Sequence, residues 1–92
     1  MKKFYVIAYD ISDDSRRLKI AQMLERRGRK VNRSVFECFM GEKEYAELKK
    51  SLAQLVNKDE DIILYYRLCR ECIGCIDRQG SIGQPEGVVR IV

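Results

Sequence analysis

Histidine is absent from the 92-residue chain. Hydrolysis by a nucleophile–histidine pair is thereby excluded, because no imidazole is there to take the nucleophile's proton. Glycine is sparse, six in all, and none of it forms the Gly-rich loop that cradles phosphates, so a nucleotide-dependent kinase is a poor reading. The single proline and the lack of low-complexity tracts point to a globular chain, not a disordered one. Long hydrophobic runs are missing as well: the apolar run after Met1, Lys2 and Lys3 is broken by Asp10 within a handful of residues. Neither a secretory signal nor a membrane span is expected, and the cytoplasm is the expected compartment. There the four cysteines are read as reduced thiols or metal ligands before disulfides.

The length suits one small domain over residues 1–92, with a core over 1–67 and a C-terminal extension over 68–92. Net charge is a modest +4, unevenly spread. Between Ser15 and Arg33 stand Arg16, Arg17, Lys19, Arg26, Arg27, Arg29, Lys30 and Arg33 against Glu25 alone, whereas acids gather at Glu42, Glu44, Glu47, Asp59, Glu60 and Asp61. Such a one-sided basic field attracts polyanions, nucleic acid above all. The plain alternative is a solvated helix face.

Alternation places Phe4, Val6, Ala8 and Asp10 on one face of a first strand and Tyr5, Ile7 and Tyr9 on the other, both largely apolar. Ser12 reads as the cap of a helix whose Ile20, Ala21 and Leu24 share a stripe, with Arg17 one turn earlier on the same side and Gly28 as a left-handed stop. Residues 30–40 are β-like, as one strand or as a hairpin turning near Asn32 to Ser34; no Asn-Gly or Asp-Gly marks the turn. A second amphipathic helix over 42–56 buries Tyr45, Leu48, Leu52 and Leu55 or Val56. Residues 62–67 read as a central strand apolar on both faces, 73–76 as a short strand, and Val88–Val92 as a terminal strand able to pair with a partner's edge.

This order makes a two-layer α+β sandwich with both helices on one side of the sheet. The other face should then be polar, and it is not, so a second copy is expected to cover it as a symmetric homodimer. A half-exposed apolar face on a monomer is the alternative. Asp10, ending the first strand, would meet its symmetry mate near the twofold axis, where paired carboxylates offer hard oxygens suited to Mg²⁺. Arg17 is placed to grip phosphate, Tyr9 and Phe36 to stack on or buttress a nucleotide, and Ser34 to donate to a phosphate or reach the metal through water. Tyr9 and Phe36 as core residues, and Ser34 as a satisfied strand hydroxyl, are the plain alternatives. Cys69, Cys72 and Cys75 have metal-ligand spacing, but with no histidine a fourth ligand would have to come from Cys38 or a partner.

At this point the residues carry a family likeness. The segment Tyr9-Asp10-Ile11-Ser12-Asp13-Asp14, followed by Arg16, Arg17, Leu24, Glu25, Gly28, Val31 and Ser34-Val35-Phe36-Glu37-Cys38, resembles the small CRISPR-associated adaptation proteins, the second of the two core spacer-acquisition proteins of antiviral defence. The likeness runs in register over the first 40 residues and more loosely over residues 62–67 and the cysteines after them.

It implies a ferredoxin-like βαββαβ sandwich, an antiparallel sheet with two helices on one face, in which residues 30–40 form a short hairpin. It also implies a homodimer with the last strand on the partner, and Mg²⁺ at Asp10 paired with Asp10 of the partner subunit. Family members are described as metal-dependent endonucleases acting on RNA or DNA, and as the central dimer holding duplex DNA between copies of a larger integrase protein. Tyr9, Asp10, Arg17 and Phe36 match the family's functional positions and form the expected catalytic set. Arg16, Arg17, Lys19, Lys30, Arg33 and Ser34 form the expected nucleic-acid surface. Lys19 and Lys30 stand where relatives sometimes carry Arg, keeping the charge and losing the bidentate fork, and Asn32 stands where Gln is common. The rival readings are a non-catalytic duplex-binding scaffold and a toxin-type endoribonuclease on the same fold.

Overall fold

The computed structural model describes residues 1–80. In chain order the elements are β1 (Lys3–Asp10), α1 (Asp14–Glu25), β2 (Gly28–Asn32), β3 (Val35–Met40), α2 (Glu42–Leu55), β4 (Ile62–Leu68) and a single helical turn, α3 (Arg70–Ile73). The four strands make one antiparallel sheet in the order β2-β3-β1-β4. This is the ferredoxin-like βαββαβ sandwich that the resemblance implies. Among the described residues, no helix is long and apolar enough to cross a membrane.

The core lies between the sheet and α1 and α2. Tyr5, Ile7 and Tyr9 of β1, with Phe36, Cys38 and Met40 of β3, pack against Ile20 and Leu24 of α1 and Leu48 and Leu52 of α2. Each helix therefore buries one i, i+4 leucine or isoleucine pair, and each such side chain contributes roughly 1.5–3 kcal/mol of transfer free energy. Register fixes the faces. Tyr5 pairs with Cys38, and Ile7 with Phe36 and Tyr65, on the helix side. Val6 pairs with Glu37 and Tyr66, Ala8 with Val35 and Leu64, and Asp10 with Ile62 on the open side. Part of the open face is occupied from within: Arg78 donates to both carboxylate oxygens of the buried Glu37, at 2.9 and 2.7 Å. Ile62, Leu64 and Tyr66 stay open, 51%, 42% and 52% exposed.

Three details differ from the sequence pattern, and one open point, the hairpin, is decided as the resemblance implies. The cap of α1 is Asp13, not Ser12: Asp13 is extended and its carboxylate accepts the Arg16 N–H at 2.9 Å, while the Ser12 hydroxyl donates to the Glu60 carbonyl at 3.1 Å. Residues 30–40 are a hairpin, with a bulge between Lys30 and Asn32 and a two-residue turn at Arg33 and Ser34. The strand β4 lies at the sheet edge and not in its middle; it is apolar on both sides because Ile63 and Tyr65 pack on the core while Ile62, Leu64 and Tyr66 face outward. Residues 73–76 form no strand, since the helical turn α3 runs to Ile73. The terminal strand at Val88–Val92 falls outside the described residues.

Gly28 is a further correction. It opens β2 without positive φ, so its role is not a left-handed stop. A Cβ there would meet the Glu37 carbonyl oxygen and the Cys38 sulfur, with the Cys38 Cα at 2.9 Å. Backbone of the neighbouring strand cannot yield as a flexible side chain can. Gly28→Ala is therefore expected to destabilise the fold by about 2 kcal/mol, lowering the melting temperature by roughly 10 °C. An unchanged melt would show that β2 sits further from β3.

Candidate active site

The strand β1 ends by delivering two neighbouring residues to opposite faces. Tyr9 turns inward, 5% exposed, and Asp10 turns out to the open face as an exposed carboxylate. Beside them a cleft of about 570 Å³ is lined by Tyr9, Asp10, Ile11, Arg17, Arg33 and Ser34. The cleft is made where the β1–α1 connection and the β2–β3 turn approach one another. Backbone pairing extends to that turn, the Tyr9 N–H donating to the Ser34 carbonyl at 3.0 Å.

Arg17 reaches the cleft because it starts α1 on the core side. Its Nε and Nη2 donate to the Ile11 carbonyl at 3.2 and 3.0 Å, and its Nη1 to Asp14 at 2.7 Å. These bonds hold the guanidinium in one orientation at the cleft wall, with 44% of the side chain still open to solvent. The Tyr9 phenol donates to the Arg33 carbonyl at 3.2 Å. Burial pushes its pKa up, against the opposing pull of Arg17, so the phenol remains a protonated donor and serves to fix the turn that carries Arg33 and Ser34. Phe36, fully buried, supports the Tyr9 ring from behind at a centroid distance of 6.2 Å.

Of the expected site residues, the structure brings Tyr9, Asp10, Arg17, Arg33 and Ser34 together at the cleft. Phe36 is a core support without access to a base. Lys19 and Lys30 are exposed on α1 and β2, away from the cleft lining. Arg16 points elsewhere: its Nε donates to Asp61 at 2.9 Å and its Nη2 to Glu60 at 3.2 Å. Sequence reasoning missed Ile11, 3% exposed in the cleft wall, and missed Asp61. The clue to Asp61 was an acidic cluster lying opposite a basic helix.

The donor set suits a hard, hydrated cation: a carboxylate and a hydroxyl oxygen line the cleft and no thiol does. Among the described residues a single carboxylate lines the cleft, and no three Cys, Asp or Glu side chains converge as a metal site. A metal at Asp10 would have this one carboxylate from the chain, with its remaining positions left to water, a phosphate oxygen or a second contributor. The cysteines are separate from the cleft. Cys38 is buried and its thiol is pushed up to about 11 by burial. Cys69, Cys72 and Cys75 are exposed, and the Cys72 backbone N–H and thiol hold Cys69 below its ordinary value.

Fold and cleft together define a small ferredoxin-like α+β protein with an acidic strand end set among arginines. The chain belongs to the family of CRISPR associated protein Cas2, whose sequence profile its residues 1–76 match. It is similar to the CRISPR-associated endoribonuclease Cas2 1 of Chloroflexus aurantiacus, 45% identical over 84 residues that cover 90% of each chain. Among solved structures it is similar to a hypothetical protein, TT1823, from Thermus thermophilus, with a TM-score of 0.81, 32% identity and coverage of 94% of this chain and 100% of that one. It is also similar to a chain of a partial Cas6-RT-Cas1–Cas2 complex, with a TM-score of 0.73, 29% identity and coverage of 85% and 90%.

Proposed function

We propose that this chain is a divalent-metal-dependent endonuclease of CRISPR adaptation that works as a homodimer. The observation that carries the reading is the position of Asp10, an exposed carboxylate at the end of the same sheet face on which Ile62, Leu64 and Tyr66 lie open. A second copy laid over that face about a twofold axis covers the apolar row and brings the two Asp10 carboxylates together. Two carboxylates with water in the remaining positions suit Mg²⁺, which gives up its waters reluctantly. When bound, such an ion acidifies a water and offsets charge on a phosphodiester.

The chain's own residues do the rest. Arg17 and Arg33 present positive charge to phosphate oxygens from two sides of the cleft, and the Ser34 hydroxyl is a further donor. Tyr9 and Phe36 keep the turn and the strand end in place. Lys19 and Lys30 extend the positive surface along a nucleic-acid backbone. The endoribonuclease name of the Chloroflexus relative supports RNA as a substrate, and the partial Cas6-RT-Cas1–Cas2 complex supports a larger integrase as partner.

The test is cleavage of RNA and duplex DNA side by side, with Mg²⁺ and with a chelator, over a salt series. Chelation is expected to stop cleavage and to leave binding in place. Duplex affinity is expected to fall with salt, log K against log salt having a slope of roughly −0.9 per phosphate contacted. Binding with no turnover at any Mg²⁺ concentration would favour the scaffold instead.

A further inference from the structure

The Ile11–Ser12 peptide, one residue beyond Asp10, is gripped at both of its polar atoms by charged side chains. The Ile11 carbonyl accepts Nε and Nη2 of Arg17 at 3.2 and 3.0 Å. The N–H of the same peptide, on Ser12, donates to Asp61 Oδ1 at 3.0 Å. Asp61 is itself saturated: Oδ1 also accepts Arg16 Nη2 at 3.2 Å, and Oδ2 accepts Arg16 Nε and the Asn57 N–H, both at 2.9 Å. Its side chain is 0% exposed. The next residue, Ile62, is the strand partner of Asp10.

From this arrangement we infer that Asp61 is the positioning residue of the cleft, holding the Ile11–Ser12 peptide so that Asp10 and Arg17 keep a fixed separation. It touches neither metal nor phosphate. Its action runs through one peptide plane, which ties the carboxylate's strand end on one side to the guanidinium on the other. Arg16 has the supporting role of orienting Asp61, which accounts for its turning away from the cleft. The Arg16 hydrogen bond, with the Asn57 and Ser12 N–H groups, holds the Asp61 carboxyl well below the usual carboxylate range, so the clamp stays ionised through neutral pH. The role is a structural device in the service of metal binding, and it rests on the reading of Asp10 given above.

The experiment compares wild type, Asp61→Asn and Asp10→Asn by calorimetric titration with Mg²⁺ alone and by steady-state cleavage. Asn at 61 keeps the shape, loses the charge, and turns one acceptor into a donor facing Arg16 or Asn57. Support groups behind metal ligands typically contribute 10–100-fold, and a group acting through a peptide belongs at the lower end. Mg²⁺ affinity and kcat are each expected to fall roughly tenfold, with KM and the salt slope of binding unchanged because Arg17, Lys19, Lys30 and Arg33 remain. A folded Asp61→Asn protein with wild-type Mg²⁺ affinity and kcat, beside an Asp10→Asn protein that has lost both, overturns the positioning role alone. If Asp10→Asn also leaves both intact, the endonuclease reading itself falls and takes this role with it. Should Asp61→Asn fail to fold, Asp61→Glu takes its place, since it keeps the charge for Arg16 and shifts the carboxylate off the Ser12 N–H. Unchanged Mg²⁺ affinity in that variant overturns the inference.

Discussion

Asp10→Asn is expected to reduce cleavage of RNA or duplex DNA by at least about a hundredfold, beyond what loss of a supporting group costs, without unfolding the chain. Asn has the shape of Asp without the charge, and the backbone pairing of residue 10 with Ile62 does not depend on the side chain. The carboxylate is exposed, so the substitution belongs with surface changes worth within about 0.5 kcal/mol of stability. What is lost is charge at one point of the fold. In a twofold dimer that charge appears twice, and without metal the two carboxylates repel. The metal-free Asp10→Asn dimer should therefore be at least as tight as the wild type. Adding Mg²⁺ should tighten the wild-type dimer by linkage and leave the variant unmoved. Undiminished cleavage by Asp10→Asn would remove the residue from the chemistry, whatever the fold.

The reach of the sequence can be traced residue by residue. The buried stripes of α1 and α2 and the two faces of β1 were legible because an apolar side chain repeats at the period of its element. The hairpin was not, because its turn at Arg33 and Ser34 has no residue of positive φ and so lacks the Gly or Asn signature that marks most two-residue turns. The edge position of β4 was hidden for a different reason. An edge strand with Ile63 and Tyr65 on the core and Ile62, Leu64 and Tyr66 on the open face reads like a central strand. Arg16 and Arg17 are indistinguishable in composition, yet neighbouring residues on a helix point about 100° apart. One therefore enters the cleft while the other crosses to Asp61. That pairing spans 45 residues of chain, a separation at which charge patterning shows two clusters and cannot pair their members. Asp10 was legible as an acidic end to an apolar strand, and the likeness to a known family gave it a role.

Leu64→Glu is expected to leave the monomer folded and to dissociate the dimer. Leu64 is 42% exposed in the single chain, at the centre of the row formed with Ile62 and Tyr66, and it pairs with Ala8, two residues before Asp10. In the monomer a glutamate there keeps its water, so stability should change little. In the dimer it would be buried without a partner, and the twofold axis places the penalty in both subunits. Two uncompensated charges at a cost of roughly 2 kcal/mol or more each raise the dissociation constant by about a thousandfold. Sedimentation across a concentration series reads that shift directly, while circular dichroism checks the fold. Cleavage supplies the discriminating result. If the metal site is assembled from Asp10 of two subunits, activity per chain in Leu64→Glu must rise with protein concentration, following the dimer fraction, and at low concentration approach that of Asp10→Asn. A variant that cuts at the wild-type rate as a monomer would place the whole site within one chain, where one carboxylate lines the cleft among the described residues, and the paired-aspartate reading would fall.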